Sequence, residues 1–160
     1  LLELIEHKEY KAFIHYLPTT LATNNNKTMT EYTEDTPLPN GRLTLRIIPT
    51  QADTNASGDI SGGWVLDKMD MGAEDTARMI AQGRVTMVAS ENTTFLSPVK
   101  AGHAICIYTK VKDIGKSSVQ INVEVWSQNT YYDELTKVCD STFVYVAIDE
   151  AGRIRPVPDE

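Results

Sequence analysis

Asp53 to Ala81 reads DTNASGDISGGWVLDKMDMGAEDTARMIA, a polar turn, a paired glycine and then one long helix. Gly58, Gly62 and Gly63 supply the permissive backbone that a turn into a helix needs, and they leave backbone N–H groups uncovered where the helix begins. Such an end attracts negative charge. Stepping about 100° per residue from Gly63 gathers Val65, Leu66, Met69, Gly72, Ala73, Thr76, Ala77 and Ile80 on one arc, the face expected to be buried. Asp67, Lys68, Glu74, Asp75 and Arg78 fall opposite, on the solvated side. Asp70 is the unusual acid, at the apolar edge near Leu66 and Ala77. A carboxylate at the margin of a core stripe costs desolvation energy unless it is hydrogen-bonded, and desolvation makes it a better proton acceptor. Periodicity alone leaves Asp70 open between that role and a surface acid just off the stripe. Trp64 and Met71 are the converse, large apolar groups on the nominally wet face, where exposure points to a partner subunit or a ligand. GDISGG matches neither the P-loop pattern nor GxGxxG, so the glycines carry no nucleotide fingerprint.

The flanking segments read as strands. Before the turn, Leu43, Leu45 and Ile47 alternate with Thr44 and Arg46 in a half-buried strand that Pro49 ends. After Gly83, Arg84 to Ala89 is one β-branched run and Thr93 to Leu96 a second short one, closed by Ser97-Pro98. Three longer candidates follow at Ala104 to Val111, Ser117 to Ser127 and Val138 to Ile148, with turn signals at Asp113 to Gly115, Asn129 to Asp133 and Glu150 to Gly152. Val119, Ile121, Val123 and Val125 alternate with Gln120, Asn122, Glu124 and Trp126, giving one buried and one mixed face. One apolar helix early and several strands afterwards imply an α+β fold in which an antiparallel sheet wraps the helix.

The totals set limits. A chain of 160 residues that is 41% hydrophobic buries one core and suits one main domain. A net charge of −7 argues against general nucleic-acid binding, so an anionic ligand would need a local cluster of cations. No apolar run approaches the roughly 20 residues of a membrane span. The opening LLELIEHKEYKAFIHYL is interrupted by charge, which makes a poor secretory signal. Cys106 and Cys139 sit in strand-like runs without CxxC spacing and read as free buried thiols, consistent with a reducing cytoplasm. Residues 1–40 look different: a short helix at Leu1 to Leu17 stopped by Pro18, then a Thr/Asn/Pro/Glu tract expected to be a mobile extension, with the folded domain over 41–158. The chain opens on Leu1, and Met29 offers itself as a natural start, with the preceding segment then an appendage.

The runs ADTNASGDISGGWVLDKMD, TFLSPVKAGH, GKSSVQINVEVW and FVYVAIDEAGRIRPVP together resemble the hotdog-fold acyl-CoA thioesterases of the YciA and brain acyl-CoA hydrolase type, in order and at matching spacing over residues 42–158. The resemblance implies a hotdog fold, one long central helix wrapped by a five- to six-stranded antiparallel sheet. It implies that two such units join edge to edge, with sites at their interface, and that the dimers assemble further into a hexamer. It places the catalytic acid on Asp70 of the MD dipeptide and a thioester- or water-binding amide on Asn55, facing the acid of the neighbouring subunit. The helix start at Gly63 and Trp64 would donate backbone N–H groups to the thioester oxygen. Asp70 would act as general base on water, or attack directly to give an anhydride.

For coenzyme A, Gly115, Lys116, Ser117 and Ser118 offer one cation, two hydroxyls and a turn backbone at the position of the family's phosphate loop, although by themselves they read equally as a hairpin turn. Arg84 is a second cation for the same task. Ala89 and Ser97 stand where arginines are common in the family, which would weaken nucleotide binding or move it to other cations. The expected substrate is acyl-CoA, with no further cofactor and no metal. Two rivals differ in class: a hotdog module that binds acyl-CoA without cleaving it, and a hydroxyacyl dehydratase. The dehydratase normally enlists a His near the helix, and none occurs between Arg42 and Gly102. His7 and His15 lie in the extension, and His103 sits in a turn, so no Ser-His-Asp arrangement suggests itself. The coexistence of Asn55 and Asp70 favours hydrolysis over simple binding.

Overall fold

The computed structural model describes residues 37–131 and 134–158. The expected helix at Leu1 to Leu17 and most of the expected extension lie outside the described residues. Five strands and one long helix follow in order: β1 (Arg42–Ile47), α1 (Gly62–Ala81), β2 (Val85–Phe95), β3 (Ala104–Ile114), β4 (Ser118–Asn129) and β5 (Glu134–Ala147). The strands form one five-stranded sheet in the order β1-β3-β4-β5-β2, and every pairing is antiparallel.

That order explains why the helix is long. β1 and β2 are neighbours in sequence but lie at opposite edges, so the chain between them must cross the whole sheet. Four inter-strand steps amount to roughly 19 Å, and 20 helical residues reach about 30 Å. The crossing helix lays its apolar arc on the sheet. Val65, Met69, Gly72, Ala73, Thr76 and Ala77 are buried, and Leu66 and Ile80 are half-buried against the same core. The sheet answers with Ile105, Ile107, Val119, Ile121, Val123, Val125, Phe143 and Tyr145. The alternation expected of β4 is present, since Val119, Ile121, Val123 and Val125 are fully buried. Trp126, placed by that alternation on the mixed face, is itself buried, with its indole N–H donating to Glu124 Oε2 at 2.9 Å.

The two short strands expected at 84–89 and 93–96 are one strand. Ser90, Glu91 and Asn92 read as a break, and the chain does distort there, with register shifts at Met87/Ala89 and Glu91/Thr94 and Asn92 at φ 54°. Pairing with β5 nevertheless resumes, because Ser90, Thr93 and Ser141 share hydrogen bonds across the irregularity and Ser141 Oγ donates to Glu91 O. β5 also starts at Glu134 rather than Val138. Asn40, read as the end of the extension, is tied to the sheet: its N–H donates to Glu124 Oε2, and Lys110 Nζ donates to its side chain.

Both helix ends are closed by specific groups. Ser61 Oγ accepts the Trp64 N–H at 3.1 Å, and Gln82 at φ 48° takes the left-handed turn that ends the helix. Arg155 Nη2 donates to Ala81 O at 2.8 Å, placing a cation on the helix's negative end. Midway, Gly72 permits a close approach. A Cβ there would lie 2.7 Å from Thr44 Oγ1 and 2.9 Å from Ile107 Cγ2. Alanine gains up to about 1 kcal/mol of helix propensity over glycine, but overpacking of this kind costs about 1–3 kcal/mol. Gly72→Ala is therefore expected to lower stability by about 1–2 kcal/mol in chemical denaturation. A midpoint equal to or above that of the parent protein would show that β1 yields freely.

Candidate active site

Asp70 is half-buried on α1, where the helix edge meets β5. Its Oδ1 accepts a hydrogen bond from Tyr145 Oη at 2.6 Å, and the same hydroxyl lies 3.3 Å from the Asp70 carbonyl oxygen. The hydrogen bond that a carboxylate at the edge of a core requires is thus supplied from the sheet. Tyr145 is 1% exposed. Burial, reinforced by the Asp70 carboxylate beside it, pushes its hydroxyl far above the ordinary phenol range, so it remains protonated and donates.

Asn55 sits in an exposed turn whose geometry it sets. Its Oδ1 accepts from the Ser57 N–H at 2.9 Å and the Asp59 N–H at 3.1 Å, and its backbone N–H donates to Asp59 O at 2.8 Å. With the oxygen occupied, the side-chain NH2 is turned outward and has no partner among the described residues. The turn is fastened to the helix through Asp53, which accepts the Trp64 indole N–H at 3.2 Å. Hydrogen bonds from the Thr50 backbone and hydroxyl, with that indole, hold the Asp53 carboxyl below the usual carboxylate range. Trp64 is therefore half-buried against Asp53 and the core, with Lys68 Nζ 5.5 Å from its ring centroid, and is not the open surface group its wheel position suggested. Met71 is exposed, as expected.

The helix start does not offer both expected amides. The Trp64 N–H is taken by Ser61 Oγ, whereas the Gly62 and Gly63 N–H groups have no partner among the described residues. Beside them opens a cleft of about 370 Å³ lined by Ile60, Gly62, Val65, Phe95, Leu96 and Val99, together with Ser97 and Pro98. The Phe95 ring lies over Gly62, where a Cβ would come within 3.2 Å of it.

Gly115 to Ser118 form the tight turn between β3 and β4, closed by the Gly115 N–H to Ser118 O at 2.9 Å. The C-terminal segment braces it, since the Val157 N–H donates to Lys116 O. A second cleft of about 430 Å³, lined by Ile114, Gly115, Lys116, Pro156, Val157 and Pro158, lies against this turn. Lys116 is exposed with no ion-pair partner among the described residues. Arg84 is less available. Its Nη1 donates to Asp149 O and Glu150 O and lies 3.6 Å from Glu150 Oε2, so it braces the turn after β5. Of the two positions where arginines are common in the family the sequence resembles, Ser97 donates its hydroxyl to Lys137 O and Ala89 lies in β2.

His103 Nδ1 lies 3.3 Å from Ser127 Oγ, away from these residues. Among the described residues no cluster of His, Cys, Asp or Glu has metal-binding geometry, and no helix is long and apolar enough to cross a membrane. Cys106 and Cys139 are buried free thiols, and burial pushes the Cys139 thiol up to about 11.

Residues 57–132 match the Thioesterase superfamily. The acyl-CoA thioester hydrolase YciA of Escherichia coli K12 is 42% identical over 126 residues, covering 77% of this chain and 96% of the relative. This chain belongs to the YciA family of acyl-CoA thioester hydrolases. Among solved structures, the hexameric thioesterase y2039 of Yersinia pestis is 44% identical, covers 77% of this chain and 100% of its own, and superposes with a TM-score of 0.73. HI0827, a hexameric broad specificity acyl-coenzyme A thioesterase, is 40% identical over 79% of this chain and 88% of its own, with a TM-score of 0.75. Cj0915, a hexameric hotdog fold thioesterase of Campylobacter jejuni, is 29% identical over 74% of this chain and 91% of its own, with a TM-score of 0.69. The fold of this YciA-family chain is the hotdog, one helix against a five-stranded antiparallel sheet.

The YciA-family chain gathers its candidate residues into two groups along α1. Asn55, Gly63 and Trp64 stand at the helix start. Arg84 and the Gly115–Ser118 turn flank the end of β5, where Ile148 N–H meets Arg84 O and Ala147 N–H meets Ser117 O. Asp70 stands between them. Tyr145 was missed by residue-level reasoning, although FVYVAI places it on the buried face of a strand. A tyrosine on the same buried face as Phe143 and Ala147 needs a partner for its hydroxyl, and that was the available signal.

Proposed function

We propose that this chain hydrolyses acyl-CoA to free coenzyme A and a carboxylic acid, with Asp70 as general base. The single observation that carries this reading is the half-buried Asp70 carboxylate, fixed at 2.6 Å by a buried hydroxyl of the sheet, in a member of the YciA family. Asp70 takes a proton from water, and the water oxygen attacks the thioester carbonyl. Charge grows on the carbonyl oxygen, where each preorganised donor is commonly worth about 3–4 kcal/mol. The Gly63 N–H at the positive helix end and the outward NH2 of Asn55 are the donors suited to it. Collapse expels the thiolate of coenzyme A, and the proton held by Asp70 returns to it.

Helix geometry supports a site shared between two copies. Gly63 and Asp70 are seven residues apart, about 10 Å along the axis, and helical N–H groups point toward the N-terminus, away from Asp70. An oxygen held by Gly63 lies roughly 13 Å from the Cα of Asp70 in the same chain, whereas a carboxylate and one bridging water span about 6–7 Å. The acid of one protomer therefore serves the helix start and Asn55 of another. Hexameric relatives of the same fold support assembly of dimers into a hexamer. Exposed Met71, Met87, Val88 and Phe95 provide apolar surface for such contacts.

Lys116, with the backbone and hydroxyls of Gly115, Ser117 and Ser118, is assigned to the coenzyme A phosphates, with Arg84 restricted to shaping the neighbouring turn. Buried, free cysteines suit a protein working in the reducing cytoplasm. Thiol release from short, medium and long acyl-CoA substrates tests the activity. Release with at least one chain length is expected, and binding of all three without release would replace hydrolysis by simple acyl-CoA binding.

A further inference from the structure

Among the described residues, the Asp70 carboxylate has one hydrogen-bond partner, and it comes from the sheet. Tyr145 Oη donates to Oδ1 at 2.6 Å, the length of a bond from a hydroxyl to an ionised acceptor. The ring that carries it cannot wander. Tyr145 is buried, tilted against Phe143 with centroids 6.5 Å apart, and flanked in register by Val119 of β4 and Met87 of β2. Among the described residues, the buried side chains of the other elements under the helix bring no charge to the pair. β3 contributes Ile105 and Ile107, β4 contributes Val119 and Ile121, and β1 contributes Thr44, whose hydroxyl donates to Ile107 O. On α1 itself, Glu74 follows Asp70 by one turn and is paired with Arg78 at 2.8 Å, while Asp67 is paired with Lys68 at 2.7 Å.

We propose that Tyr145 is the positioning residue of hydrolysis: by holding Asp70 Oδ1 it fixes the plane of the carboxylate and leaves Oδ2 alone to receive the proton of the attacking water. The inference rests on the general-base reading of Asp70 and deepens it. The torsion that turns an aspartate carboxylate is broad and roughly two-fold, so without an anchor the two oxygens exchange and the lone pairs sweep through many directions. A general base must meet its proton at hydrogen-bond distance and angle, which makes that freedom costly to rate and not to binding. Burial keeps the phenol protonated, so the donor is present throughout the working pH range.

The test is steady-state acyl-CoA hydrolysis by the full chain from about pH 5 to 9, comparing the parent protein with Tyr145→Phe and with Tyr145 replaced by 3-fluorotyrosine. Tyr145→Phe keeps the ring and removes the donor. It is expected to lower kcat about 10-fold with KM within about twofold. 3-Fluorotyrosine keeps ring and hydroxyl, and is expected to hold kcat within about twofold of the parent. A tyrosine serving packing alone would lower thermal stability while leaving the kcat of the folded Tyr145→Phe enzyme at the parent value, and an unchanged kcat overturns the proposal. Should Tyr145→Phe fail to fold, 4-fluorophenylalanine at position 145, which fills the space of the hydroxyl without donating, decides in its place: a kcat lowered about 10-fold at unchanged KM supports the role, and a parental kcat removes it. Asp70→Asn in the same assay separates the two levels. If it retains parental turnover, the general-base reading fails and the positioning role falls with it. If it is inactive while Tyr145→Phe keeps the parental kcat, only Tyr145 loses its role.

Discussion

Asp70→Ala is expected to lose at least about 100-fold in kcat while coenzyme A binds within about threefold of the parent affinity, because a positioned general base contributes about 10²–10⁴ to rate and little to binding. The substitution has a structural side effect that must be separated from chemistry. It leaves the buried Tyr145 hydroxyl without the acceptor at 2.6 Å, and an orphaned buried donor costs about 1–3 kcal/mol unless water replaces the partner. Asp70→Asn avoids this, since its amide oxygen can still accept from Tyr145 while its nitrogen cannot take a proton. Equal inactivation of both variants, with Asp70→Asn nearer the parent thermal midpoint, would assign the loss to proton transfer. Retention of hydrolysis by Asp70→Asn would sink the assignment.

The second large effect concerns assembly. Asp70→Ala and Asn55→Ala chains, each nearly inactive by itself, are expected to regain activity when co-expressed in equal amounts. If each site takes its acid from one copy and its helix start from another, random mixing places an intact Asp70 opposite an intact Asn55 in about one quarter of sites. Activity near a quarter of the parent value follows from geometry alone, with no adjustable parameter. Mixing that yields no more than the sum of the two separate variants, in assemblies shown by mass to contain both chains, would place Asn55 and Asp70 of one chain in the same site. The rise along α1 argues against that arrangement.

Much of the fold was legible because α1 and β4 carry strong periodic patterns. The 3.6-residue spacing from Val65 to Ile80 and the strict alternation from Val119 to Val125 each survive into the structure as buried faces. β2 was harder. Ser90, Glu91 and Asn92 look like a turn by local chemistry, and only their pairing with β5 and the hydroxyls of Thr93 and Ser141 carries the strand through. At the site, Asp70 was visible as an acid out of place on the wheel, and the family resemblance selected the same residue independently. Trp64 was placed correctly on the helix but not in its surroundings, since its burial depends on Asp53, eleven residues earlier, turning back to accept the indole N–H. Arg84 appeared available until the loop after β5 supplied two carbonyls and Glu150 to occupy it.

The sequence by itself determined the helix, the alternation of the strands, the candidacy of Asp70 and the membership in a thioester hydrolase family, because each is written in local spacing or in motifs of fixed order. The tertiary structure decided that the Asp70 carboxylate is held by Tyr145, 75 residues away. It also decided that Ser61 withdraws the Trp64 amide from the helix start and that Gly72 lets α1 seat against Thr44 and Ile107. Those features depend on which strands become neighbours, and the order β1-β3-β4-β5-β2 arises only when the whole chain closes around one helix.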